Sequence, residues 1–243
     1  MADHNRKYWN QQFKILQDTW PKPVNFEKCI GICLEIHAMV HSGAILKDVG
    51  CSSDIKGSQK PGQDSSTAIP CSFEDEMWEG MTDEAFRRYH EEDQSIAWKM
   101  WHAARIEDMT MNVLIGLGQQ VFDTGGWYGK LKVSARDTGN AMNEEEITEL
   151  SKLIDRSALR EYRNAVGRKT REIILSLKPQ DLKQKVDPAC LSILVREGDI
   201  VPQASGVAAY WGGKTWSGLL LMPGTRHILV HLNESMRLLK KGK

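Results

Sequence analysis

Arg226-His227-Ile228-Leu229-Val230-His231-Leu232-Asn233-Glu234, close to the end of a 243-residue chain, is the stretch whose reading decides the fold. No proline follows Pro223, and His227, Val230, His231 and Leu238 recur at helical spacing, so the stretch reads as a helix. Imidazoles at i and i+4 lie one turn apart on one face, roughly 5–6 Å between Cβ atoms, near enough to share a metal ion. Both fall in the apolar stripe, which turns them inward. Two imidazoles on one core face are hard to satisfy without a shared ligand. Alone, the pair fits two packed core or interface histidines equally well.

Working outward, Asp93-Gln94-Ser95 opens a helix from Ile96 to about Phe122, ending before Gly125-Gly126. Its stripe is Trp98, His102, Ile106, Met109, Val113 and Leu117, so His102 also points inward. An earlier helix runs from Asn25, a suitable N-cap, to about Leu46 and carries Cys29, Cys33, His37 and His41 at every fourth position. Neighbours on that ladder share a face, but its ends diverge by about 120°. Thr82-Asp83-Glu84 reads as a further helix start. Asn143-Glu144-Glu145-Glu146 fits a capping box for a helix carrying Ile147, Leu150, Ile154, Leu159, Tyr162, Val166, Ile173 and Leu177 and stopping before Pro179. The first twenty-odd residues give a short helix and a Pro-rich turn at Trp20-Pro21-Lys22-Pro23, and a shorter helical piece starts near Pro188. Residues 48–75, rich in Gly, Ser, Asp, Gln and Pro, lack a helical period and read as an insertion loop or flap. No stretch alternates as a strand and nothing repeats. The expected fold is all-α: one domain over residues 1–243, four long helices packed as an antiparallel bundle, extra short helices and one long insertion loop.

Composition narrows the function classes. Hydrophobic residues make up 41% and charged residues 26%, as in soluble globular proteins. The 32 basic and 32 acidic side chains cancel, which gives no electrostatic pull toward nucleic acid or an anionic membrane. No apolar run approaches the ~20 residues of a membrane span, and no signal-peptide core follows Met1, so the expected location is cytoplasmic. The five scattered cysteines do not form a disulfide framework, and Cys51 and Cys71 read as free thiols. Gly116-Leu117-Gly118 and Gly125-Gly126 lack the strand and the Lys-Ser/Thr register of a phosphate loop, and there is no Gly-x-Ser-x-Gly elbow.

Three histidines from two helices, His102, His227 and His231, thus point into one bundle. Three protein ligands and an open position are what a catalytic zinc-type site uses. Imidazoles suit zinc, nickel, copper and ferrous iron alike. Glu107, Asp108, Asn233 and Glu234 are candidates to hold the outer imidazole nitrogens. His37 either reaches the metal or its substrate, or lines the cavity and packs; Cys29 and Cys33 read as small buried residues. Arg105 either binds a substrate carboxylate or pairs with Asp108 or another acid inside the bundle. His4 and His90, in polar surroundings, read as exposed.

Trp101-His102-Ala103-Ala104-Arg105-Ile106-Glu107-Asp108, followed by Met111-Asn112, resembles the second helix of the DinB/YfiT-like superfamily, and Arg226–Glu234 resembles its last long helix. The resemblance extends more loosely from about Phe26 to the C-terminus and includes His37-Ala38-Met39-Val40-His41, Gly125-Gly126-Trp127 and Met222-Pro223. It implies that His102, His227 and His231 hold a divalent metal, nickel or zinc. Activities known in that family are thiol-dependent isomerisation and thiol S-transfer with low-molecular-weight thiols. The excursion at residues 48–75 and the insert around residues 180–215 depart from its shorter members. Three readings follow. The first is a metal-dependent enzyme that activates water or a small thiol for transfer or hydrolysis on a small-molecule substrate. The second is a non-catalytic metal- or small-ligand-binding bundle, and the third a metal-free helical interaction protein. A homodimer fits the many apolar and aromatic residues.

Overall fold

The computed structural model describes residues 2–20, 25–46, 72–91 and 93–241, and among them it is helical with no strand. In chain order the helices are α1 (Ala2–Thr19), α2 (Phe26–Met39), α3 (Phe73–Glu79), α4 (Asp83–Arg87), α5 (Ile96–Asp108), α6 (Val121–Thr124), α7 (Trp127–Leu131), α8 (Glu144–Leu153), α9 (Arg156–Ser176), α10 (Pro188–Arg196), α11 (Ser205–Gly212), α12 (Trp216–Leu221) and α13 (His227–Lys241). The all-α expectation holds for these residues. None of the helices is long and apolar enough to cross a membrane.

Capping chemistry fixes most helix starts. Asn25, Thr82, Ser95 and Asn143 each accept a backbone N–H from three residues on, and Asn143 with Glu146 completes the capping box. The ends differ more. The helix expected from Asn25 to Leu46 stops at Met39, and Gly43–Leu46 is a separate 3-10 turn, so His41 lies just past α2. The long helix expected to run from Ile147 to Leu177 is two, because Asp155 caps a fresh start by accepting from Ser157 and Ala158. Of the loop expected at 48–75, most lies outside the described residues, as do Cys51, Cys71 and the Pro21–Pro23 turn; its last four residues are not loop. There Ser72 caps α3, accepting from the Asp75 N–H.

Two helices pass into π-helical turns. α5 continues as Met109–Ile115 and ends at Gly116, not near Phe122, and Leu117 has φ 52° and is 60% exposed rather than in the stripe. α12 runs through Met222–Arg226 into α13. On α13 the buried residues are Ile228, Leu229, Leu232, Ser235 and Leu238. Val230, expected in the apolar stripe, faces out at 37% exposure, and the two histidines flank the buried face.

α5 is the central element: all 13 of its residues are buried, and it packs against both α9 and α13. A helix buried on every side is normally apolar throughout. This one carries Lys99, His102, Arg105, Glu107 and Asp108, so each must find its partner inside the protein. Beside it, Arg163 of α9 donates through Nε (2.7 Å) and Nη2 (2.9 Å) to the two oxygens of Glu74 on α3, with both side chains fully buried. Burial works against ionising Glu74, and the Arg163 guanidinium more than offsets it, so the carboxyl stays below its ordinary range. Arg163→Met should cost about 3–5 kcal/mol in urea unfolding, because it strands the Glu74 charge. The double variant with Glu74→Leu should recover part of that loss.

Candidate metal centre

α5 brings His102 against His227 and His231 at the start of α13. The rings of His102 lie 5.1 Å from each of the other two, and the His227 and His231 centroids are 4.5 Å apart. One nitrogen from each of the three lies within 4.8 Å of the others. Trp98, one turn before His102, stacks on it with centroids 4.5 Å apart and planes at 6°, and meets His231 edge-on. The spacing expected of these three histidines therefore does place them together.

The outer nitrogens decide which tautomers are present. His102 Nδ1 faces the Thr138 carbonyl, which can only accept, so Nδ1 carries the proton and Nε2 the lone pair. His231 Nδ1 donates to Glu234 Oε2 at 2.9 Å, with the same consequence. Glu234 in turn accepts from Lys99 Nζ at 2.9 Å. The hydrogen bond from His231, aided by Lys99 and opposed by burial, lowers the Glu234 carboxyl to about 2, so it is a carboxylate at neutral pH. This carboxylate–histidine pairing is how metal-binding imidazoles are oriented. His231 Nε2 and His227 Nε2 then face one another at 3.1 Å. Two nitrogens bound at about 2.0–2.1 Å to one ion stand about 2.9–3.4 Å apart, so that gap suits a shared cation. His227 Nδ1 is buried without a partner.

Burial, with the neighbouring imidazoles adding to it, pushes His102 down to about 3 and His227 well below its ordinary 6.5. Both rings are neutral at physiological pH, which is the form that ligates. The donor set, three imidazoles with one nitrogen each within 4.8 Å of the others, therefore fits a divalent transition ion.

The other candidates sort out by partner. Glu234 holds His231 as expected of an outer ligand; Asn233 instead accepts from Arg6 Nε at 2.7 Å. Asp108 accepts from the Val121 and Phe122 backbone and from Tyr162 Oη. Arg105, fully buried, reaches Asp199 (3.1 Å), Gln120 and the Arg136 carbonyl, so the pairing within the bundle is the one realised. His37 and His41 do not join the three histidines but meet Glu107. Cys29 and Cys33 are buried, and burial lifts the Cys33 thiol to about 12. His4 is exposed, whereas His90 is half-buried. Sequence reasoning missed Thr138, which acts through its backbone. Its neighbour Gly139 has φ 75°, and a Cβ there would come within 2.6 Å of the Trp101 ring, so this turn needs glycine to bring the carbonyl to His102.

An open depression of about 760 Å³ lined by Val133, Met142, Glu146 and Leu150 includes none of the three histidines. No family model matches the chain, and no curated protein matches it.

The depressed His102 value has a consequence for acid stability. In metal-free protein the unfolded chain takes up this proton near 6.5 and the native chain only near about 3. The unfolded state binds more protons between those values, so stability falls as pH drops through that window. His102→Gln should reduce the slope of unfolding free energy against pH by about one proton there, measured by urea titrations in chelator.

Proposed function

We propose that the chain is a metal-dependent bundle of the DinB/YfiT-like kind, with His102, His227 and His231 as the ligands of one nickel or zinc ion. The observation that carries this reading is the commitment of His102 Nδ1 to the Thr138 carbonyl and His231 Nδ1 to Glu234, which leaves their Nε2 lone pairs converging with His227. An ion with three protein ligands and an open position supplies Lewis acidity, enough to acidify a water or a small thiol near neutral pH. The reaction class this suits is transfer of a low-molecular-weight thiol to a small electrophile, or hydrolysis of one. Glu234 keeps the His231 ring oriented and its Nδ1 protonated, and Lys99 holds Glu234 in place. Trp98 covers one face of His102 and keeps water from that side.

Elemental analysis tests the ligand set. His227→Ala and His231→Ala should each lose about one divalent ion per chain relative to wild type; unchanged content in both overturns the reading. Glu234→Gln should keep the fold and weaken metal affinity about 10–100-fold, read by chelator competition. The catalytic half is tested on cobalt-loaded protein. A visible spectrum that shifts on adding a small thiol, with turnover in a thiol-transfer screen, supports an open site. A spectrum indifferent to thiol and to pH marks a closed binding module instead.

A further inference from the structure

We propose that His37, His41 and Glu107 form a second, closed site for a divalent transition cation, separate from the three-histidine cluster. All three side chains are fully buried. His37 Nε2 lies 3.0 Å from Glu107 Oε1, and His41 Nε2 lies 3.1 Å from Glu107 Oε2. One ligand atom from each residue falls within 4.8 Å of the others. These gaps match the edges of about 2.9–3.4 Å between donors bound to one ion at about 2.0–2.1 Å.

Hydrogen bonding alone leaves the cluster unsatisfied. Only the His37–Glu107 contact has hydrogen-bond alignment. His37 Nδ1, both ring nitrogens of His41 and Glu107 Oε2 are buried without a hydrogen-bond partner. Each such atom costs about 1–3 kcal/mol when left unpaired. A cation bound by both Nε2 atoms and both Glu107 oxygens would engage His41 Nε2 and Glu107 Oε2 at once. The charge count points the same way. Among the described residues, Glu74 is matched by Arg163, whereas the ion-pair contacts of Glu107 are the two imidazoles. Neutral imidazoles would leave the Glu107 charge uncompensated in the core.

The packing holds the ligands for this. Glu74 Oε2 stands 3.9 Å from His41 Nδ1, on the outer side of the ring, where a carboxylate supports a metal-bound imidazole. Gly167 of α9 lets the helix backbone come against the same ring; a Cβ there would sit 2.8 Å from Nδ1. Two imidazoles and a carboxylate are a zinc ligand set, and with Glu107 bidentate the coordination is complete from protein alone. The site would therefore tie the end of α2 to α5 and act as a structural cation, bound as the chain folds.

The starting variant of the test leaves this cluster untouched. His227→Ala/His231→Ala protein is expressed in zinc-supplemented medium, and separately refolded in excess zinc, then passed through chelator and analysed for metal. About one tightly held zinc per chain is expected, lost when Glu107→Gln is added, with X-ray absorption showing mixed nitrogen and oxygen ligation from two imidazoles. No zinc in either preparation, or zinc that persists with Glu107→Gln, overturns the second site. The proposal does not depend on the three-histidine reading. A wild type with one ion that vanishes in His227→Ala/His231→Ala sinks this site alone, and one whose only ion stays in that variant sinks the other.

Discussion

The structure depends on one requirement: α5 is buried on every side yet carries five polar or charged side chains that must be paired inside the protein. The partners come from several neighbouring elements. α13 supplies Glu234 for Lys99 and two histidines for His102; the segment after α7 supplies the Thr138 and Arg136 carbonyls; the segment after α10 supplies Asp199 for Arg105; α2 and its continuation supply His37 and His41 for Glu107. The helix thus sets where its partners can lie more tightly than an apolar core would, since hydrogen bonds require direction and apolar contacts do not.

Each histidine cluster has one member on that helix, His102 or Glu107, and the two differ in how they are completed. The one at His102 has two of its outer nitrogens held by a carbonyl and a carboxylate, and its two α13 histidines are half-buried. The one at Glu107 is fully enclosed and has mostly unpaired ring nitrogens. The first arrangement suits exchange with a small molecule; the second suits an ion that stays.

What the sequence made legible was local. Asn25, Thr82, Ser95 and the Asn143–Glu146 box mark helix starts by side chains that bond within three residues, and the structure has all of them. The i, i+4 pair at His227 and His231 and the inward turn of His102 were legible for the same reason. Leu117 was not, because periodicity extrapolated through a helix assumes a constant turn and the π-helical segment Met109–Ile115 interrupts it; Val230 was not, because α13 centres its buried face on Ile228, Leu232 and Ser235, with the histidines at its margin. The break at Asp155 is hidden by apolar residues that keep period on either side. Thr138 acts through a carbonyl, which every residue has. The meeting of Glu107 with His37 and His41 is a contact across about seventy residues, which no single-helix pattern contains.

The π-helical turn at Met222–Arg226 also fixes how α13 is rotated about its axis. It lies between α12 and α13, whose buried faces do not share one α-helical phase, and it takes up the difference. If the same five residues wound as regular α-helix, everything after them would swing by about 100° about the axis. His227 and His231 would then leave His102, although every side chain of the site remained. The winding of this short lead-in, and not the identity of the three histidines alone, therefore sets whether the α13 pair meets α5.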